Sequence, residues 1–471
     1  MKRGIFSSYL GGFATLVVAS LPASSADLLS VYDQALINDP QIREAQANRM
    51  VGREARPAAL ASLLPQLSAT AGRSRSWSNT NGTQELFPGD PSPLPFDSKS
   101  NNSGSTWSIN LNQSVFSWER WVALRTADHQ VAQSESDYLA ALQSLAQRVA
   151  QQYFAVLNAR DDLEAQEVAR NAITRQMEQF EQRFEVGLIA ITDVQEAKAE
   201  RDNAAAQVIS AKRRLASAEE QLRATIGEKP VALNELADNM PLASPNPASE
   251  EDWVRAAMEQ NLTLISSRLA ADIAREAVRS AFGGHLPTIS LNAGRNFSDN
   301  STRSSRLDQT TGEYLPNPSS PTQNNSKSLS LNFTLPLFSG GAVSSRERAS
   351  EQRWIAAKER LEFTSRNTER QARDAYLGVN SEIARVQALK QALESSRTAL
   401  AAQEAGYEVG TRTAVDVLNS RRGLILAETS YSAAKYSYLN NLIQLRLAAG
   451  DLDRATLEEI NRWLTVAPAT P

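Results

Sequence analysis

A mainly helical chain, built on long antiparallel coiled coils and carrying four short strands of membrane type, is predicted by three features of the sequence. The first is a pair of matching helix breaks, Phe184 to Val194 (FEVGLIAITDV) and Tyr407 to Leu418 (YEVGTRTAVDVL). An offset of 223 carries Gly187 onto Gly410 and Asp193 onto Asp416. The second is a repeat along the whole chain, in which an offset of 222 carries Pro65 onto Pro287, Gly72 onto Gly294 and Phe116 onto Phe338. The third is a two-residue alternation of apolar and small polar residues in four segments, the period of a pleated strand with two unlike faces.

The totals narrow the class. The 471 residues include no Cys and two His, so the chain is neither a disulfide-stapled scaffold nor a Cys/His metal protein. A formal charge of −4 offers nothing for a nucleic-acid partner. Residues 1–26 read as a secretory signal: Lys2 and Arg3, an apolar run from Gly4 to Leu21, Pro22, then Ala23, Ser24, Ser25 and Ala26, with cleavage expected after Ala26. No later run reaches 18 apolar residues, so any entry into a membrane has to be made by β-structure.

Taken in order, residues Leu28 to about Leu63 show helical spacing through Val31, Ala35, Ile42 and Ala45, ending at the Leu64-Pro65 break. Leu67, Ala69 and Ala71 then alternate with Ser68, Thr70 and Gly72, which predicts a strand. Ser78 to Gly104, rich in Asn, Ser, Gly and Pro, reads as a long polar loop. Trp107, Ile109, Leu111, Gln113 and Val115 form the second strand. Trp77 and Trp107 fall near these strand ends, where interfacial aromatic girdles of barrels sit.

A helix is expected from Glu119 to about Phe184, 66 positions or about 100 Å at the helical rise. After the Gly187 turn, a shorter helix runs to about Ile226 with heptads at Val194, Arg201, Val208, Leu215 and Leu222, and Ala197, Ala204, Ala211 and Ala218 between them. Charged runs such as Glu196 to Arg201 read as solvated helix faces.

The second half repeats the order. A helix spans Trp253 to Phe282, and Ile289, Leu291, Ala293 and Phe297 mark the third strand. Ser298 to Ser326 is a second polar loop, and Leu329, Leu331, Phe333, Leu335 and Leu337 mark the fourth strand. The second long helix runs from Val343 to about Glu404, with heptads resuming after Gly410 at Val417, Leu424, Tyr431, Tyr438 and Leu445. Gly450 closes the last long helix as Gly227 closes its twin, and a short helix near Ala455 to Leu464 precedes a loose terminus. The expected organisation is signal 1–26, first repeat 27–226, linker 227–250, second repeat 251–450 and tail 451–471.

The two shorter helices of each half, about 36 and 37 residues, stacked end to end match the long helix beside them at about 110 Å. This predicts a rod with a β end and a coiled-coil end. Four strands cannot close a barrel, since about eight are needed and an open edge in lipid leaves backbone groups unpaired. The barrel must therefore be shared between chains, with two, three or four copies giving eight, twelve or sixteen strands.

The duplicated halves, the strand pairs and the two hairpin motifs together resemble the TolC family of outer-membrane efflux and secretion channels over essentially the whole mature chain. The resemblance implies a homotrimer in the outer-membrane lipid, with a shared twelve-stranded barrel and an α-barrel tunnel across the periplasm. It also implies passive passage of drugs, toxic small molecules or secreted proteins, delivered by an inner-membrane ABC, RND or MFS transporter through a periplasmic adaptor (membrane fusion) protein. With no Cys to carry a lipid, the chain is similar to the unlipidated branch.

Carried over by position, a closing network would tie Asp193 to Tyr407 and Thr192 to Arg412, and Asp416 would stand in a luminal acidic ring. Relatives can carry another Asp three residues further on, where this chain has Asn419. The grooves around Gly187 and Gly410 would meet the adaptor. A different class remains open on the residues alone: a secreted coiled-coil scaffold or adhesin whose strand pairs are soluble sheets. Nothing points to an enzyme or a cofactor, because His129 and His285 stand in unrelated contexts.

Overall fold

The computed structural model describes residues 26–465, apart from 86, 90, 92, 93, 230, 231, 238, 239, 309 and 310. The expected signal segment up to residue 25, and with it the context of its cleavage, lies outside the described residues, as does the tail after Thr465.

The elements run α1 (Leu28–Asn38), α2 (Pro40–Arg53), α3 (Ala55–Ala61), β1 (Gln66–Gln84), β2 (Leu94–Phe116), α4 (Trp118–Glu185), α5 (Ile191–Ile226), β3 (Glu235–Leu236), α6 (Glu250–Gln260), α7 (Leu262–Phe282), β4 (Thr288–Leu307), β5 (Tyr314–Pro316), β6 (Ser320–Thr334), α8 (Ala342–Glu408), α9 (Ala414–Ala449), α10 (Arg454–Asn461) and β7 (Leu464–Thr465). The single helix expected over 28–63 is three helices. Pro40 disfavours helical backbone at Asp39, which is extended (φ −66°, ψ 120°), and then opens α2 as its first residue. The helix expected over 253–282 breaks at Asn261, whose side chain caps α7 by accepting from the Leu264 amide at 3.1 Å.

The strands correct the sequence reading in length. Most of the two segments expected as polar loops is paired strand: β1 continues to Gln84, β2 begins at Leu94, β4 reaches Leu307 and β6 begins at Ser320. Trp77 and Trp107 therefore stand in mid-strand, opposite Asn101 and Ala71 respectively. Beyond the apolar stretch both faces of these ribbons are polar, so the amphipathic period fades while the backbone ladder persists.

Contacts divide the chain into two compact units, each drawing segments from both sequence halves. One holds residues up to Arg43, Ala141–Ala257 and the chain from Arg370 on. Its fully buried side chains include Leu145, Tyr153, Phe154 and Leu157 of α4, Leu222 and Ile226 of α5, and Tyr438, Leu439 and Ile443 of α9. The Tyr153 hydroxyl donates to the carbonyls of Asn234 (2.9 Å) and Ala26 (3.2 Å), and Tyr436 donates to Asp161 at 2.9 Å. The buried Asp39 carboxylate is paired with Arg148.

The other unit, Glu44–Ala140 and Met258–Glu369, contains the large sheet. Its four long strands lie antiparallel in the order β1-β2-β4-β6, and β5 pairs with the end of β4. The register sets Leu67 beside Leu111, Leu111 beside Ala293, and Ala293 beside Leu329, all on one face. The opposite face carries Ser68, Asn110, Asn292 and Ser330 at neighbouring positions. Among the described residues of one chain no strand pairs with the outer side of β1 or β6, and the apolar face is bare: Leu67, Leu329 and Phe333 are 70%, 75% and 63% exposed. A soluble monomer does not leave such a face uncovered. Among the described residues no helix is long and apolar enough to cross a membrane.

Candidate functional site

The two hairpin turns lie in the same compact unit and are built alike. Gly187 and Gly410 both take φ +80°, a left-handed conformation that costs a glycine nothing. The chain folds back through Leu188 N–H to Arg183 O (2.8 Å) in one turn and Thr411 N–H to Gly406 O (2.9 Å) in the other. Each turn feeds a helix whose third residue is an aspartate, Asp193 in α5 and Asp416 in α9.

There the likeness ends. Thr413 caps α9: its Oγ1 accepts from the Asp416 amide at 3.2 Å, and Asp416 Oδ2 accepts from the Thr413 amide at 3.0 Å, a reciprocal capping box. These bonds from Thr413, backbone first and hydroxyl second, hold the Asp416 carboxyl below the usual aspartate range, with the nearby charge of Arg412 a lesser cause. The equivalent cap of α5 is Ala190, which has no side chain to return the bond. Among the described residues no hydrogen bond or ion pair engages the Asp193 carboxylate.

Tyr407 sits at the end of α8 against a cluster of Met177, Phe180, Val194, Ala197 and Ala414. Its ring lies 5.5 Å from that of Phe180, centroid to centroid, and the Arg183 guanidinium stands 5.2 Å above it. Its hydroxyl is buried and has no partner among the described residues. The cleft around it is also lined by Gln176, Glu404 and Arg421. Arg421 donates to Glu404 at 2.5 Å, yet Arg421 Nε and Gln176 Oε1 are further buried atoms without a partner. Unmade bonds of this kind are costly inside a protein and rare, and three of them share one cleft.

The structure therefore brings Tyr407, Asp193 and Asp416 to one end of a four-helix cluster. It does not join Tyr407 to Asp193, nor Thr192 to Arg412, within a single chain; Thr192 and Arg412 are exposed. Gly187 and Gly410 occupy the turn apices with open space where a side chain would stand.

Several participants escaped the sequence reading. The charged run Glu196 to Arg201, expected as a solvated face, contains Glu200, which is buried and takes both prongs of Arg422 from α9. Arg183 and Phe180 frame Tyr407 without any motif to announce them. The capping box was readable in principle, since Thr413 and Asp416 have the spacing of a helix start. Among the described residues no group of three His, Cys, Asp or Glu side chains is arranged to hold a metal ion.

A sheet with a bare apolar face and two open edges, joined in sequence to helices of 68 and 67 residues, defines a subunit of a membrane duct. The sequence model described as "Outer membrane efflux protein" matches residues 31–228 and 253–451, and the chain belongs to that family. It is 35% identical over 454 residues to the outer membrane protein TolC of Vibrio cholerae, covering 96% of this chain and 97% of the relative. To TolC of Escherichia coli it is 34% identical over 474 residues, with 98% and 90% covered. The alkaline protease secretion protein AprF of Pseudomonas aeruginosa is 30% identical, with 97% and 90% covered.

The fold is that of the outer membrane protein VceC from Vibrio cholerae (TM-score 0.72, 19% identity, 90% of this chain and 96% of that one) and of the Campylobacter jejuni CmeC channel (TM-score 0.71, 18% identity, 99% and 98%). The chain is accordingly an outer-membrane efflux or secretion channel, with an α-barrel and a β-barrel contribution and a periplasmic helical tunnel. Channel membership displaces the scaffold alternative.

Proposed function

We propose that three copies of this chain close one twelve-stranded β-barrel and one helical tunnel, forming a passive exit duct held shut at its periplasmic end. The observation that carries the gate is the cleft at Tyr407, where a hydroxyl, an arginine Nε and an amide oxygen are buried and unpaired in the single chain. Groups of this kind are satisfied once a neighbouring subunit supplies their partners.

Asp193, uncapped in α5, is the natural acceptor for the Tyr407 hydroxyl, and the exposed Arg412 is the donor for Thr192. Both bonds are charge-assisted, one through the Asp193 carboxylate and the other through the Arg412 guanidinium; they hold neighbouring coils together and can be undone by a docking protein. Asp416 adds three carboxylates around the tunnel.

The docking protein is a periplasmic adaptor, seated at the tips around Gly187 and Gly410, where Val186, Leu188 and Val409 are 69%, 73% and 74% exposed. An inner-membrane ABC, RND or MFS transporter delivers the cargo, drugs and toxic small molecules or secreted proteins; AprF is named for protease secretion. Single-channel recording of Tyr407→Phe with Arg412→Ser tests the gate: conductance rises if these side chains close it, and an unchanged conductance contradicts the assignment.

A further inference from the structure

We propose that the lipid-facing side of the sheet carries a cationic site for a phosphate-bearing lipid headgroup, formed by Arg73 and Arg75 of β1, Arg295 of β4 and Lys327 of β6.

The register arranges this face in rows. Counting away from the helices, Ile289 lies beside Phe333, then Leu291 beside Leu331, then Leu67, Leu111, Ala293 and Leu329 in line. The next row is Ala69, Ile109, Arg295 and Lys327, and above it stand Ala71, Trp107, Phe297 and Asn325. Trp107 and Phe297 stack with centroids 6.0 Å apart. From Ile289 to Phe297 is eight residues, roughly 27 Å along a strand and about 20 Å in height at barrel tilt, close to the thickness of a barrel's apolar band. The stacked pair thus marks the boundary of the hydrocarbon.

The cations gather at that boundary. Arg73 lies one row beyond it, with Ser105, Asp299 and Gln323, and Arg75 one row further. Arg295 and Lys327 lie one row inside, with side chains long enough to lift their charges to the interface. Two of the guanidinium groups are held over indoles: Arg295 is 5.6 Å from Trp107, and Arg75 is 5.1 Å from Trp77. Arg295 and Lys327 are direct cross-strand neighbours, a like-charge pair that works against the sheet unless an anion sits between them. Among the described residues Arg73, Arg295 and Lys327 have no carboxylate partner, and Asp299 is the sole acid in these rows.

Phosphates are the anions at this depth of a membrane, and arginine's fork matches their oxygens. The four cations span roughly 14 Å across the strands and roughly 20 Å along them, wider than one phosphate, which favours a headgroup bearing two.

The test uses the full-length oligomer in detergent, with native mass spectrometry after mixing with a bisphosphorylated lipid, a phosphocholine lipid or inorganic phosphate. The bisphosphorylated lipid is expected to be retained about tenfold over phosphocholine, and the triple variant Arg73→Gln/Arg295→Gln/Lys327→Gln to lose that preference. Should the triple variant not assemble, Lys327→Gln alone and raised salt on the unmodified protein must each reduce retention. Equal retention of the two lipids, retention indifferent to substitution and salt, or displacement of the lipid by inorganic phosphate overturns the proposal.

Discussion

Glu200 and Arg422 form a two-pronged ion pair between α5 and α9. Arg422 Nε donates to Glu200 Oε1 at 2.6 Å, and its second nitrogen donates to Oε2. The Glu200 side chain is 8% exposed and that of Arg422 is 56% exposed, so the pair has one buried and one wet end. The Glu200 contact raises the pKa of Arg422 above its ordinary value. The carboxylate depends on this partner to offset its burial.

Removing the arginine should therefore cost more than removing both groups. Arg422→Gln is expected to lower unfolding stability by about 1–3 kcal/mol, between the values for exposed and fully buried pairs because one end is solvated. The double variant Glu200→Gln/Arg422→Gln should recover at least half of that loss in chemical denaturation. A double variant as unstable as the single one would show that Glu200 is not strained by its burial.

The capping box at Thr413 and Asp416 makes the tip sensitive to acid in a stated direction. The folded carboxyl titrates below its reference value of 3.8, so its contribution is complete above that pH and is lost as pH falls through the lower folded value. Protection of the first amides of α9, taken relative to the intrinsic exchange rate at each pH, should fall below about pH 4, whereas the first amides of α5, where the N-cap is Ala190, should show no such step. Identical profiles at both helix starts would count against the cap.

Asp416 is also the candidate for a charge ring in the tunnel. Asp416→Ala should weaken the preference for cations and the block by multivalent cations in planar bilayers. Asn419→Asp, which adds a carboxylate one turn on, should strengthen both. If neither substitution alters selectivity, Asp416 does not face the lumen.

Tyr153 carries a prediction about the other end of α4's buried stretch. Tyr153→Phe leaves the carbonyls of Asn234 and Ala26 without the hydroxyl that now serves both, at a cost of about 1–2 kcal/mol. Equilibrium unfolding of the purified protein reads it, and a change below a few tenths of a kcal/mol would mean that water replaces the hydroxyl.

How much of this was legible in the sequence depended on whether the signal was local. The long helices were placed within a few residues, Glu119–Phe184 against Trp118–Glu185 and Val343–Glu404 against Ala342–Glu408, because heptads and glycine turns act over one or two turns of chain. The outer lengths of β1, β2, β4 and β6 were missed, because a ribbon with water on both faces keeps its ladder and loses its hydrophobic period. Glu200 was misjudged since its partner stands 222 residues away, beyond any pattern in α5. Ala190 facing Thr413 across the repeat was visible as a difference, but its consequence for Asp193 needed the hydrogen bonds.

The mass of the detergent-extracted particle tests directly whether sister chains complete the sheet with its two open edges and bare apolar face: a stable assembly of three chains is expected. A monodisperse single chain, soluble in buffer without detergent, would contradict it.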